Sequence, residues 1–235
     1  MLAEAKILWD VNANIISSKN NMNLVGTISD AVTGAYLLGK DSLKKEDADQ
    51  LLFSAGIISN IKTSDIKGLD VFAQVMPKNS GIKIPSELTG SGSFGVEDGE
   101  MIKELDRQFG REIAVDSLMK AFIVGSIYLS RRGYTLSVQD LNVSDKVKHT
   151  TDEIVAQADQ KTQEVIKNFR EGGLSPLPGK TMEETREIKI SQILNEVRTE
   201  IGKVVQANFP VDGNVTKMIS AKAAGSMLNI TQIGC

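Results

Sequence analysis

A chain of 235 residues, 41% hydrophobic and 24% charged, has room for one large or two small domains with a real core. Its net charge of −3 supplies no basic field for autonomous nucleic-acid binding, and one cysteine excludes an intramolecular disulfide framework and fits a reducing cytoplasm. Aromatics are only 5%, so the core must rest on Leu, Ile, Val, Ala and Met. No run of about 18 apolar residues occurs; the longest apolar-rich stretch, AFIVGSIYL at 121–129, predicts no membrane span. The N-terminus lacks the apolar core of a signal peptide, so a soluble protein is expected.

From the N-terminus, residues 3–16 predict a helix with Ile7, Leu8, Val11 and Ile15 on one stripe. SDAVTGAYLLG predicts a short helix capped at Gly39, and KKEDADQLLFSAGI (44–57) another with an acidic first turn. LDVFAQVMP (69–77) and GIKIP (81–85) are short, β-branched or alternating, and stop at a proline, which predicts strands. GSGSFG (90–95) reads as loop. EMIKELDRQFG and REIAVDSLMKAFIVGSIYLSRRG predict two helices closed by Gly110 and Gly133, the second central to a core.

Composition shifts at Ser144 to two long charged segments, about 144–171 and 181–208. Thr150 with Glu153, and Thr181 with Glu184, have capping-box spacing. Ile154, Ala158, Val165 and Phe169 stripe the first segment; Ile190, Leu194, Val197, Ile201 and Val204 stripe the second. GGLSPLPGK between them is long enough to reverse direction, giving an antiparallel helical hairpin. The fold class is α+β, mainly α: a mixed helical and short-strand module over 1–143, then the hairpin and its continuation over 144–235.

Two glycine motifs fail on spacing and context. In GGLSPLPGKT five residues separate Gly173 from Gly179, where a phosphate loop needs four, and Pro176 and Pro178 remove backbone donors. GSGSFG satisfies G-x-G-x-x-G literally but has no βαβ unit around it and no kinase motifs downstream. His149 is the only histidine and lies in a polar segment with no nucleophile pattern nearby; with Cys235 it makes no zinc set. The carboxylates of KKEDAD and VEDGE sit at acidic helix starts, where the macrodipole favours them. No self-contained active site is legible.

The order of segments says more. AEAKILWDVNANIISSKNNMNLVGTISDAVTGAYLL resembles the stretch after the catalytic aspartate loop in the largest subunit of multisubunit RNA polymerases. Asn14, Ile15, Ser17, Gly26, Asp30, Thr33, Gly34, Leu37 and Leu38 hold that family's pattern places. FAQVMP, GSFGVEDGEMIKELDRQFG and RRGYTLSVQDL, with Gly133, Tyr134, Thr135 and Asp140, are similar to its next elements. The long helices fall where the family has its funnel hairpin, and SAKAAGSMLNITQ resembles the lead-in to its bridge helix. The resemblance is collinear over essentially the whole chain and sits best with the archaeal branch, the A′ type. Ala224 stands where the family has a basic residue, with Lys222 two positions earlier.

The resemblance implies a pore-and-funnel piece of DNA-directed RNA polymerase, a nucleotidyltransferase of transcription. It implies a secondary channel for nucleotide entry, rimmed by a hairpin on which a transcript-cleavage factor docks. Asp152, Glu153, Lys161, Glu164, Lys167, Glu183, Glu184, Arg186 and Lys189 are the hairpin contact candidates. Lys222, Gly225, Ser226, Asn229 and Gln232 form the pore-side lead-in, with helix capping and packing as the plain alternative for Ser226, Asn229 and Gln232. The family's Mg²⁺-holding loop and trigger loop have no counterpart here. Catalytic residues and a bound cofactor are therefore expected to be absent, and the piece alone inactive. Partners would be other polymerase subunits, with DNA and RNA only in the intact complex and no membrane. A non-enzymatic helical-hairpin adaptor is the alternative reading.

Overall fold

The computed structural model describes residues 1–78, 80–82, 84, 90–96, 99–210 and 212–234. Contacts group the chain into two units, Met1–Leu136 with Asp212–Gly225, and Ser137–Val211 with Ser226–Cys235. Where the sequence suggests one division at 144, the chain instead leaves the first unit after Leu136 and returns to it for 212–225.

The first unit is built on two helices, α2 (Ser29–Lys40) and α7 (Arg111–Arg132). Every residue from Ala31 to Leu38 is buried, because α2 is covered on all sides. Its main partner is α7, whose Ala114, Leu118, Ala121, Val124 and Tyr128 fill the same core. The helices approach so closely that a Cβ on Gly34 would come within 1.9 Å of the Gly125 carbonyl oxygen. A Cβ on Gly125 would meet the Ala31 carbonyl oxygen at 2.2 Å. Only glycine permits that backbone contact. α7 carries a window of mean hydropathy 1.5, so by length and composition it is apolar enough to cross a membrane. That corrects the expectation that no such stretch exists; beyond Lys120, Ile113, Ala114, Val115, Leu118 and Met119 lengthen the nine-residue run on its N-terminal side. Eight of its residues are buried inside this unit, and core burial accounts for its apolarity.

Around this pair pack α3 (Lys45–Ser54), α4 (Gly68–Ala73), α5 (Gly90–Ser93) and α6 (Glu100–Phe109). Phe72 and Phe94 meet edge to face, with centroids 6.1 Å apart, at the centre of the core. LDVFAQVMP is a helix and turn, not a strand: Val71, Phe72, Val75 and Met76 recur at helical steps and all are buried. The strands of this unit are β1 (Ser42–Lys44) and β2 (Asp65–Lys67), paired antiparallel with Leu43 opposite Ile66. GIKIP lies partly outside the described residues, as do Glu97 and Asp98 of VEDGE and Cys235, whereas Glu100 opens α6. GSGSFG opens with the short helix α5 rather than loop.

The N-terminal helix is shorter than expected. α1 (Leu2–Leu8) buries nothing, and a 3₁₀ turn follows at Val11–Asn14. Of the expected stripe only Ile15 reaches the core; Ile7, Leu8 and Val11 stay exposed. Arg111 holds this segment, donating to the carbonyls of Asn12 (3.1 Å) and Ala13 (2.8 Å) while its fork grips Asp106 at 2.6 and 3.1 Å.

The second unit contains α8 (Asp145–Arg170) and α9 (Met182–Asn208), packed against each other along their length. At 1.5 Å per residue each is about 40 Å long. The seam is thin, with Thr151, Ala158, Thr185, Ile201 and Val205 buried. The α8 stripe runs through Ile154, Ala158, Val165 and Phe169 as the sequence suggests. On α9 the expected Ile190, Val197 and Ile201 turn inward, but Leu194 is 55% exposed, and Ile193 and Val205 share the seam. Ser144, not Thr150, starts α8; Thr150 lies inside the helix and donates to the Lys146 carbonyl, so no capping box forms there. The chain returns through α10 (Asn214–Ser220) in the first unit, and α11 (Met227–Gly234) packs on α9 in the second.

Candidate functional site

The hairpin concentrates the sequence-derived candidates. Asp152, Glu153, Lys161, Glu164 and Lys167 all lie on the solvent face of α8, spread along it rather than converging. Glu153 pairs with His149 at 3.4 Å and Lys167 approaches Glu171 at 4.0 Å, one helical turn away in each case. Such exposed pairs contribute little stability and leave the charges free to act outward. Glu183 and Glu184 occupy the first turn of α9, where the helix dipole favours acids. Glu184 is partly committed, since Thr181 and Glu184 form the expected capping box at 2.9 and 3.1 Å. Arg186 stacks over Phe169 on α8, 4.6 Å from the ring centroid, and donates to Glu187. Lys189 is half-buried.

The lead-in residues divide between the units: Lys222 and Gly225 belong to the first, Ser226, Asn229 and Gln232 to the second. All five are exposed. Lys222 and Gly225 both take positive φ, +55° and +71°, where α10 ends. Ser226 precedes α11, and its N–H and Oγ both donate to Asn229 Oδ1, at 2.8 and 2.7 Å. Those two residues therefore serve as a helix cap, which leaves Gln232 with its side chain toward solvent.

What the sequence did not single out is the loop joining α8 to α9. α8 ends in a Schellman motif, with Gly172 at φ +73°, Gly173 N–H donating to Asn168 and Gly172 N–H to Phe169. Leu174 is buried beneath the turn. Thr185 is fully buried: its Oγ1 accepts from Leu177 N–H at 2.9 Å and donates to the Thr181 carbonyl at 2.8 Å. A threonine four residues after a threonine cap was the available signal.

No convergent acid, base and nucleophile accompany these features. Among the described residues, no three His, Cys, Asp or Glu side chains come together as metal ligands. The described acids do not fit a magnesium centre. In the first unit, a cavity of about 600 Å³ near the start of α2 is lined by Ile28, Asp30, Phe122, Leu129 and Tyr134 among others, without a basic side chain.

Residues 165–235, from the far end of α8 to the chain's end, match the family model described as RNA polymerase Rpb1, domain 4. Over 263 aligned residues, 99% of this chain, it is 30% identical to the DNA-directed RNA polymerase subunit Rpo1N of Halobacterium salinarum. The chain is thus similar, over nearly its whole length, to archaeal largest-subunit proteins of RNA polymerase. The Rpo1N proteins of Methanothermobacter thermautotrophicus and Thermococcus celer are 27% and 26% identical over 98% of the chain. The chain spans only 27%, 30% and 32% of those three relatives' lengths. Several largest-subunit pattern residues have structural work here. Gly34 makes the α2–α7 crossing, Leu37 and Leu38 fill the core, and Tyr134 donates to the Asn214 carbonyl at 2.5 Å.

Proposed function

We propose that this chain acts within DNA-directed RNA polymerase. There it walls the secondary channel by which nucleotides enter, with the α8–α9 hairpin as the rim on which a transcript-cleavage factor docks. The observation that carries this reading is the hairpin itself. Two antiparallel helices of 26 and 27 residues keep a thin apolar seam and present charged outer faces to solvent, overlapping the Rpb1 domain 4 match. A structure held by so narrow a seam has more surface than its own stability uses, which suits an element that others contact. Nucleotidyl transfer in such an enzyme runs on two metal ions, held by residues outside this chain. This piece supplies shape and contact surface. Asn229, through the Ser226 cap, fixes the first turn of α11, and Gln232 faces the channel from the same helix.

The test uses the assembled polymerase with charge reversals at exposed shaft positions, Lys161→Glu with Lys167→Glu and, separately, Glu164→Lys. Factor-stimulated transcript cleavage should fall while factor-free elongation holds. Loss of elongation with cleavage would make the hairpin a scaffold rather than a rim. An adaptor outside the polymerase, in turn, would fail to co-purify with the other large subunit.

A further inference from the structure

Where the chain comes back to the first unit, an asparagine fastens it. The carbonyl of Asn214, which opens α10, accepts from Tyr134 Oη at 2.5 Å, and its Nδ2 donates to the Thr135 carbonyl at 2.9 Å. The segment leaving the core after α7 and the segment returning to it are thereby clasped together. Directly before the clasp stands Asp212–Gly213. Asp212 is exposed, and among the described residues its carboxylate has no hydrogen bond or ion pair. It does not cap α10: Gly213 is the N-cap, and no side chain bonds there. Gly213 itself is extended, with φ −64° and ψ 149°, and its N–H has no partner among the described residues. The sequence has a second such pair, Asp98–Gly99, whose glycine is placed differently. Gly99 is buried, its carbonyl accepts from Asn23 Nδ2 at 2.5 Å, and a Cβ on it would meet the Gly95 carbonyl oxygen at 2.5 Å.

We propose that Asp212–Gly213 is a covalent modification site, where aspartate turns to isoaspartate and so opens the Asn214 clasp. The Gly213 amide nitrogen, unshielded because glycine has no side chain, attacks Cγ of the protonated Asp212 carboxyl. The C–N bond forms as the C–OH bond breaks, and the amide proton and the hydroxyl leave as water. The five-membered succinimide then takes up water at one of its two carbonyl carbons. Addition at Cγ restores aspartate. Addition at the main-chain carbon leaves Gly213 joined through the Asp212 side chain, with the former main-chain carboxyl as a free branch. Nothing is oxidised or reduced, and the reaction needs only the chain and water. The isomer lengthens the backbone by one carbon two residues before Asn214. Tyr134 and Thr135 cannot follow, because the end of α7 fixes them through Gly133 N–H on the Leu129 carbonyl. Asn214 is therefore drawn out of register with both of its clasp partners.

The full chain is held near neutral pH for weeks, beside the same chain in denaturant. Isoaspartate is read by methyl transfer from labelled S-adenosylmethionine with an isoaspartyl methyltransferase, and located by electron-transfer mass spectrometry. In denaturant the two Asp–Gly pairs should label alike. In the folded chain Asp212 should label several-fold faster than Asp98. Asp212→Glu should lose the label at that position, since the larger ring closes poorly. Gly213→Ala, whose φ suits alanine, should cut it several-fold. Amide exchange at residues 134–136 and over α10 should quicken in the isomerised chain, as it should in Asn214→Ala, and hold steady in Asp212→Glu aged in parallel. An Asp212 that labels in denaturant but not in the folded chain overturns the site. Equal labelling of both pairs in the folded chain overturns Asp212 as the selected position. Isoaspartate at Asp212 with unchanged exchange, or equal quickening in aged Asp212→Glu, overturns the opening of the clasp.

Discussion

The phenol of Tyr128 is largely buried and donates to Asp41, which also accepts from Arg132 Nε at 2.8 Å. Burial first, and then the neighbouring carboxylate, push its pKa well above the ordinary tyrosine value. A group whose folded pKa is raised stabilises the fold fully below its unfolded pKa, near 10, and loses that contribution as pH climbs toward the folded value. Tyr128→Phe should therefore cost about 1 kcal/mol at pH 7. The gap to wild type should narrow above about pH 10, as read by denaturant unfolding at both pH values. A gap that stays constant would mean that the hydroxyl does not titrate against the fold. Asp41 keeps Arg132 in the variant, which is why the loss is modest. Glu104 is the opposite case nearer the surface: hydrogen bonds from Arg107 and Gln108 lower its pKa.

At the scale of elements, α2 and α7 depend on the absence of side chains at two positions. Gly34→Ala places a methyl within 1.9 Å of a backbone oxygen that cannot retreat without moving α7. Overpacking at this depth should cost about 3 kcal/mol or more, read as a lowered midpoint or lost soluble yield. The hairpin allows a contrast within one helix. Ile201→Ala should cost about 2–4 kcal/mol in unfolding of the second unit, while Leu194→Ala, at an exposed position, should change it by under about 0.5 kcal/mol. If the two cost the same, the register of the seam is wrong.

Much of this was legible in the sequence where one local rule decided the outcome. Gly110 and Gly133 mark ends that the structure keeps, both at positive φ, and Thr181 with Glu184 caps α9. The Thr150–Glu153 pair obeyed the same spacing and failed, because Ser144 opens the helix a turn and a half earlier and spacing cannot rank two caps. LDVFAQVMP misled because a short apolar run fits both periods; burial on the face shared by Val71, Phe72, Val75 and Met76 decides for helix. The strands at Ser42–Lys44 and Asp65–Lys67 are three residues each and pair across an intervening helix, a contact no local window contains. Among the candidate site residues, the exposed charges of α8 followed from its apolar stripe. The Thr185 bond to Leu177 and the Ser226–Asn229 cap needed three-dimensional placement.

Across the whole chain, the two units draw stability from different sources. The first has a continuous core from Ile15 to Ala221, and the second a narrow seam. Damage to the first should therefore remove the protein, whereas, on the proposed rim reading, changes on the solvent face of the hairpin should remove only an interaction. The shaft reversals test this directly: they should lower cleavage-factor response in the assembled enzyme at unchanged protein level. A fall in abundance that matches the fall in response would assign the effect to folding.

The apolar α7 also sets a problem of timing. A ribosome releases this strongly hydrophobic helix only after α2 is already outside, and the glycine-notched surface that α7 needs is therefore waiting when it emerges. Reversing that order by circular permutation, so that α7 is synthesised before α2, would leave its apolar face uncovered for the whole interval. The native contacts would be the same in the end, but the chain would have to survive longer without them.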